Sequence, residues 1–335
     1  MPAVQGSRKS IQVPPDAFRV LVTGFGPFQH YQGNPSWLAV SPLQNEILHT
    51  DVPSNLLSLN PKATAQDPAI DTHPRPIHIT TLQIPVVYES VLAIVPGLHA
   101  RPPILPEDAP EDCADPPQNN YDFVFHIGVA GRGPLRMERV GHKLGYHMKD
   151  AKGQLAPIVR VSTKDFTRRE NGGAPSSTVS TLGGESVSAA ENMERERLGM
   201  DLVEQGSENA VRPSRGFGIG YTRFPDEINT EIDVTRLVQD LKKSGVDQIY
   251  TSMDAGHYLC DFIYYCSLAE VKRSSNPYEK SRNTQVLFLH CPPVNQPLST
   301  EEVTDAIKRI VVWVCSEQQI HDSKDEAAAT AGVTK

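Results

Sequence analysis

Val246-Asp247-Gln248-Ile249-Tyr250, then Asp254-Ala255-Gly256, then His257-Tyr258-Leu259-Cys260-Asp261-Phe262-Ile263-Tyr264-Tyr265: this stretch decides how the chain is read. The first piece reads as a short buried strand ending at Ser252 or Met253. After the glycine turn, Leu259, Phe262, Ile263, Cys266 and Ala269 or Glu270 recur at helical spacing. Strand, tight turn and helix put Cys260 in the first helical turn. Unsatisfied N–H groups and the positive end of the helix dipole favour a thiolate there. The plainer reading is a small buried hydrophobe on an aromatic helix.

Working outward, Phe18-Arg19-Val20-Leu21-Val22-Thr23-Gly24-Phe25 and Tyr121–Ala130 read as central strands, apolar on both faces. Thr284–His290 is a third, ending in a histidine. Ile77–Val86 alternates apolar and polar, as a strand packed on one face or at an edge would. Helices are expected from about Trp37 to Leu48, Tyr88 to His99, after Asp233 with Gly245 just past the end, and after the Ser299/Glu302 capping box. Apolar strands alternating with helices indicate an α/β layer architecture in a single domain, built on a mostly parallel twisted sheet. Residues 1–17 read as a loose lead-in, 41–76, 99–120 and 149–226 as insertions, and 316–335 as a polar, disordered tail. The core domain spans 18–315, and the 149–226 segment reads as a loop or lid.

Composition narrows the partners. Across 335 residues the net charge is -8, with no basic block, which argues against nucleic acid and anionic membrane. No apolar run approaches bilayer length. Five cysteines without disulfide spacing suit a reducing, cytoplasmic setting in which thiols stay available.

Strand ends at Phe25, Ala130, Met253 and His290 bring chemistry-bearing residues to one crevice, outside the carboxyl ends of the sheet. Cys260, His290 and Glu138 are the parts of a thiol acyl-transfer triad: nucleophile, proton carrier and orienting carboxylate. His290 is equally a satisfied core histidine, Glu138 equally a solvated charge, and Phe25 and Phe28 equally core. A zinc set from His257, Cys260, His290 and Cys291 fits poorly, because adjacent strand residues point to opposite faces, and no metal is assigned. Gln29 and Pro27 spoil a dinucleotide fingerprint, and neither a Gly-x-Ser-x-Gly elbow nor a Walker loop occurs. No cofactor is expected.

Five segments in order carry a family likeness. They are Val22–Phe28 with Asn34-Pro35-Ser36-Trp37, Val124–Gly131, Glu138–Lys143 with Gly145-Tyr146, Asp254–Tyr265, and His290-Cys291-Pro292-Pro293. Together they resemble pyroglutamyl peptidase I, the cysteine-type enzyme, in its eukaryotic branch. The resemblance implies a three-layer α/β/α sandwich and a cofactor-free peptidase acting on peptides with an N-terminal pyroglutamate. It implies Cys260 as nucleophile, His290 as base then acid, and Glu138 as orienting group. Phe25 and Phe28 would sandwich the lactam ring. Val129 stands at a substrate position where many bacterial members carry glutamine. The Gly128–Glu138 segment is one residue shorter than in relatives. A rival reading follows, a catalytically silent relative that binds a pyroglutamyl or other small lactam group, and it expects Glu138 out of reach of His290.

Overall fold

The computed structural model describes residues 11–28, 33–51, 73–159, 214–275 and 283–333. Most of the expected lead-in, and much of the 41–76 and 149–226 insertions, lie outside these residues, as does the greater part of the expected lid. The chain runs β1 (Phe18–Phe25), α1 (Pro35–Val40), a single 3-10 turn (Ser41–Leu43), β2 (Ile47–His49), β3 (Pro76–Ile84), α2 (Tyr88–Leu98), β4 (Phe123–Val129), β5 (Leu135–Glu138) and β6 (Val140–His142). It continues through β7 (Glu227–Asn229), α3 (Val234–Lys243), β8 (Ile249–Ser252), α4 (Leu259–Ser274), β9 (Gln285–Cys291) and α5 (Thr300–Val333).

The main sheet has seven strands in the order β2-β3-β1-β4-β9-β5-β8. Strands β3, β1, β4 and β9 run parallel; β2 is antiparallel to β3, β5 is antiparallel to β9, and β8 runs parallel to β5. Alternation along each strand sorts the core into two layers. Val20 and Val22 face one cluster, shared with Leu237 and Leu241 of α3 and Ile307, Ile310 and Val311 of α5. Leu21 and Phe25 face the other, shared with Val91 and Val95 of α2 and Phe262 and Ile263 of α4. The result is the three-layer α/β/α sandwich.

Helix α4 is buried on nearly every side, from Leu259 to Val271, which explains its lack of a polar stripe. It lies between the sheet, α2 and a small second sheet of β6 and β7. Phe262 is its packing centre, with rings of Phe217 at 4.1 Å, Tyr88 at 4.8 Å and Tyr146 at 4.9 Å.

Several elements differ from the sequence expectations. The helix near Trp37 stops at Val40, and the chain goes on to form β2, so the 41–76 segment adds an edge strand. Strand β3 is therefore an interior strand; His78, Thr80 and Thr81 are buried on it. Strand β8 forms the opposite edge, with Tyr250 exposed. The tail expected to be disordered from 316 continues α5 to Val333. Alanine, glutamate and lysine there are strong helix formers, and Ser316 and Gln319 are tied into the fold. The Ser316 hydroxyl accepts from the Asp51 N–H at 2.9 Å, and Thr50 Oγ1 donates to Gln319 Oε1 at 2.6 Å.

Candidate active site

The turn ahead of α4 is built by Asp254, whose carboxylate accepts the Gly256 N–H at 2.8 Å, and by positive φ at Gly256 and His257. Tyr258 then caps the helix and its carbonyl accepts the Phe262 N–H at 2.8 Å. Cys260 is thus the second helical residue, and its N–H is among the first-turn donors without an intrahelical partner.

Gly128 fixes where the sulfur sits. A Cβ on that residue would lie 2.7 Å from Cys260 Sγ and 2.7 Å from Phe288 Cζ. The sulfur therefore rests on the bare backbone of β4. Gly128 is the register partner of His290 on β9, and partners in parallel strands present their side chains to the same face. Phe288, on that face too, packs its ring 4.8 Å from the His290 ring.

Glu138 arrives from the other side. Strand β5 runs antiparallel to β9 with Glu138 opposite Phe288, again on the α4 face. Its Oε1 lies 2.7 Å from His290 Nδ1, both side chains being buried. The short Gly128–Glu138 segment thus leaves the contact intact, against the silent reading. Tyr264 of α4 donates to the Glu138 carbonyl at 3.0 Å and locks that end of β5.

Phe25 ends β1 on the same layer, and Phe28 packs partly buried against it. The loop between them is braced by Asn34, whose amide donates to the Gly26 carbonyl at 3.0 Å, and by Ser36 Oγ, which accepts the Phe25 N–H at 3.0 Å. The Phe28 ring lies 5.8 Å from that of Tyr258. Tyr258, two residues before Cys260, thus packs beside Phe28, a contact the sequence reading missed. Val129 is not brought in by its side chain, which packs in the opposite layer with α5. A cleft of about 360 Å³ lies beside this loop, but its walls, including Gly26, Pro27 and Gln83, contain neither Cys260 nor His290. It is not a reaction chamber.

The charge state of Cys260 corrects one expectation. Burial pushes the thiol up, and the nearby Glu138, Cys291 and Asp261 add to the rise while Arg136 opposes it. The half-buried sulfur therefore rests protonated despite its place at a helix start, because desolvation and neighbouring carboxylates outweigh the dipole. Cys291 lies in the opposite layer, so the set His257, Cys260, His290 and Cys291 does not converge.

No family model matches the chain. Over 294 residues it is 24% identical to pyroglutamyl-peptidase 1 of Mus musculus and, equally, of Homo sapiens, covering 87% of each chain. The chain is thus similar to pyroglutamyl-peptidase 1 along most of its length. Among solved structures, pyroglutamyl peptidase I of Bacillus amyloliquefaciens is 21% identical, with a TM-score of 0.48 over 88% of this chain and 94% of that one. A pyrrolidone carboxyl peptidase of Pyrococcus furiosus is 16% identical, with a TM-score of 0.48 over 90% and 99%.

Proposed function

We propose that this chain is a cysteine-type omega peptidase that removes an N-terminal pyroglutamyl residue from peptides through a thioester. The observation that carries the reading is the 2.7 Å contact of Glu138 with His290, on the sheet face where the Cys260 sulfur lies over Gly128. Similarity to pyroglutamyl-peptidase 1 over 87% of the chain supports the choice of substrate.

In this mechanism the free ring nitrogen of His290 takes the Cys260 proton as Sγ attacks the pyroglutamyl carbonyl carbon. Glu138 holds the Nδ1 proton, fixes the tautomer and offsets the imidazolium charge. The Cys260 N–H is the donor for the developing oxyanion. His290 then protonates the leaving amine, and the shortened peptide departs. Water, deprotonated by the same histidine, cleaves the thioester and releases 5-oxoproline.

Pyroglutamate has no α-amine, so recognition cannot rest on a carboxylate gripping an ammonium. A flat, neutral lactam suits aromatic walls, here Phe25 and Phe28, with main-chain hydrogen bonds at its edge. A reducing, cytoplasmic setting belongs to the same reading: all five cysteines are free, and no helix among the described residues is long and apolar enough to cross a membrane.

The test is release of a fluorogenic amine from a pyroglutamyl-arylamide by wild type and by Cys260→Ala. Turnover lost in the variant is expected. Turnover that survives would move the reaction to another nucleophile.

A further inference from the structure

Asp261 follows the proposed nucleophile, yet its carboxylate is turned to a different purpose. It is fully buried, and its ion-pair partners among the described residues are two histidines, His142 and His257. Oδ1 accepts the His142 N–H at 2.9 Å, which leaves Oδ2 to face the rings. Oδ2 lies 3.0 Å from His142 Nδ1 and 3.5 Å from His257 Nδ1. His257 Nδ1 is also 3.1 Å from the Leu144 carbonyl oxygen. One ligand-type atom from each of the three side chains can be chosen so that all lie within 4.8 Å of one another.

Three of the six ligand-to-ligand separations are in the range a four-coordinate ion requires. Four nitrogen and oxygen ligands held tetrahedrally at ~2.0–2.1 Å from a zinc ion stand about 3.3 Å apart. The three separations here, 3.0, 3.1 and 3.5 Å, bracket that value. Asp261 is fully buried, and a divalent cation held there would give its carboxylate a counter-charge. The bond from the His142 N–H to Oδ1 is the outer support that a monodentate carboxylate ligand ordinarily has. Gly145 leaves the room, since a Cβ there would come within 2.9 Å of His257 Nδ1.

We propose that His142, His257, Asp261 and the Leu144 carbonyl form a four-ligand site for a borderline divalent cation such as Zn²⁺. The ion ties the turn before α4 to the end of β6 and so clamps the segment that presents Cys260. Histidine and carboxylate ligands suit Zn²⁺, Co²⁺ or Ni²⁺ better than Mg²⁺ or Ca²⁺. The site is separate from Glu138 and His290, and the inference stands whether or not the peptidase reading holds.

Cobalt is the probe, because its d–d spectrum reports geometry. The full chain carrying Cys260→Ala, which removes the one thiol that is not fully buried, is titrated with Co²⁺; the other four thiols are buried. One equivalent bound, a four-coordinate spectrum and no thiolate charge-transfer band are expected. His257→Ala added to that variant should weaken binding at least ~10-fold, by analogy with the loss seen even for supporting groups. The His257 side chain is 41% exposed, so its removal leaves the fold testable, with circular dichroism as the check. Asp261→Asn should abolish binding. Absence of saturable binding, a six-coordinate spectrum, or unchanged affinity in the His257→Ala variant would overturn the proposal.

Discussion

Replacing Gly128 with alanine tests the placement of the sulfur more sharply than any change to the triad itself. The added methyl would sit 2.7 Å from Cys260 Sγ, 2.7 Å from Phe288 Cζ and 3.2 Å from Phe288 Cε1. Carbon and sulfur do not tolerate such distances, so one of the two side chains must move by the better part of an ångström. If the sulfur moves, it leaves its place over Gly128, the register partner of His290. If Phe288 moves, it pushes on the His290 ring that it packs against at 4.8 Å. Overpacking of this kind costs about 1–3 kcal/mol of stability. A displacement near 1 Å in a reacting group costs on the order of 10²-fold in rate. Gly128→Ala should therefore lower kcat/KM for a pyroglutamyl-arylamide about 10²-fold, with a folded protein and a modest fall in the urea midpoint. Gly218→Ala is the control, because a Cβ there meets nothing closer than 3.9 Å. Gly128→Ala with activity and stability both near wild type would refute the geometry on which the mechanism rests.

Four other outcomes are expected. Glu138→Gln should lower kcat by about 10²–10⁴-fold with little change in KM, since the carboxylate acts through His290 rather than on substrate; steady-state kinetics on the folded variant decides it. Burial pulls His78 and His99 down to about 4 and His126 to about 3. The unfolded chain binds their protons more readily, so stability is complete above the ordinary histidine value and falls as pH drops toward 4, by up to about 1.4 kcal/mol per pH unit for each residue. Urea midpoints at neutral and mildly acid pH measure that slope. Removing residues from Ser316 onward should cost about 3–5 kcal/mol, because the buried Ile320 and the bonds of Ser316 and Gln319 to Asp51 and Thr50 go with them; a truncation that leaves the urea midpoint unchanged would contradict the packing of α5. Iodoacetamide on the native chain should label Cys260 first, because the other thiols are buried, and peptide mapping identifies the site.

Local signals in the sequence carried far. The capping of α3 by Asp233, the strand–turn–helix around Cys260 and the two-faced strands β1, β4 and β9 follow from spacing and turn chemistry. What escaped was long-range register. Nothing local to Arg136–Glu138 shows that β5 runs antiparallel beside β9, yet that pairing brings Glu138 to His290 across 152 residues. Likewise His142 and Asp261 meet across 119 residues, so their pairing leaves no trace in any window. The thiolate expected at Cys260 failed for a related reason: helix position is local, whereas the desolvation and carboxylates that raise the thiol come from the assembled core. The tail of α5 was misread because small polar residues suit both coil and helix, and only the contacts of Ser316, Gln319 and Ile320 decide between them.

The most direct measurement is acid quenching of the wild-type chain during turnover of a pyroglutamyl-arylamide, followed by intact and peptide mass analysis. A mass gain of one 5-oxoprolyl group, carried by the peptide that contains Cys260 and removed by hydroxylamine, is the expected result. Turnover with no acyl adduct, or with the adduct on a different residue, would contradict the thioester mechanism.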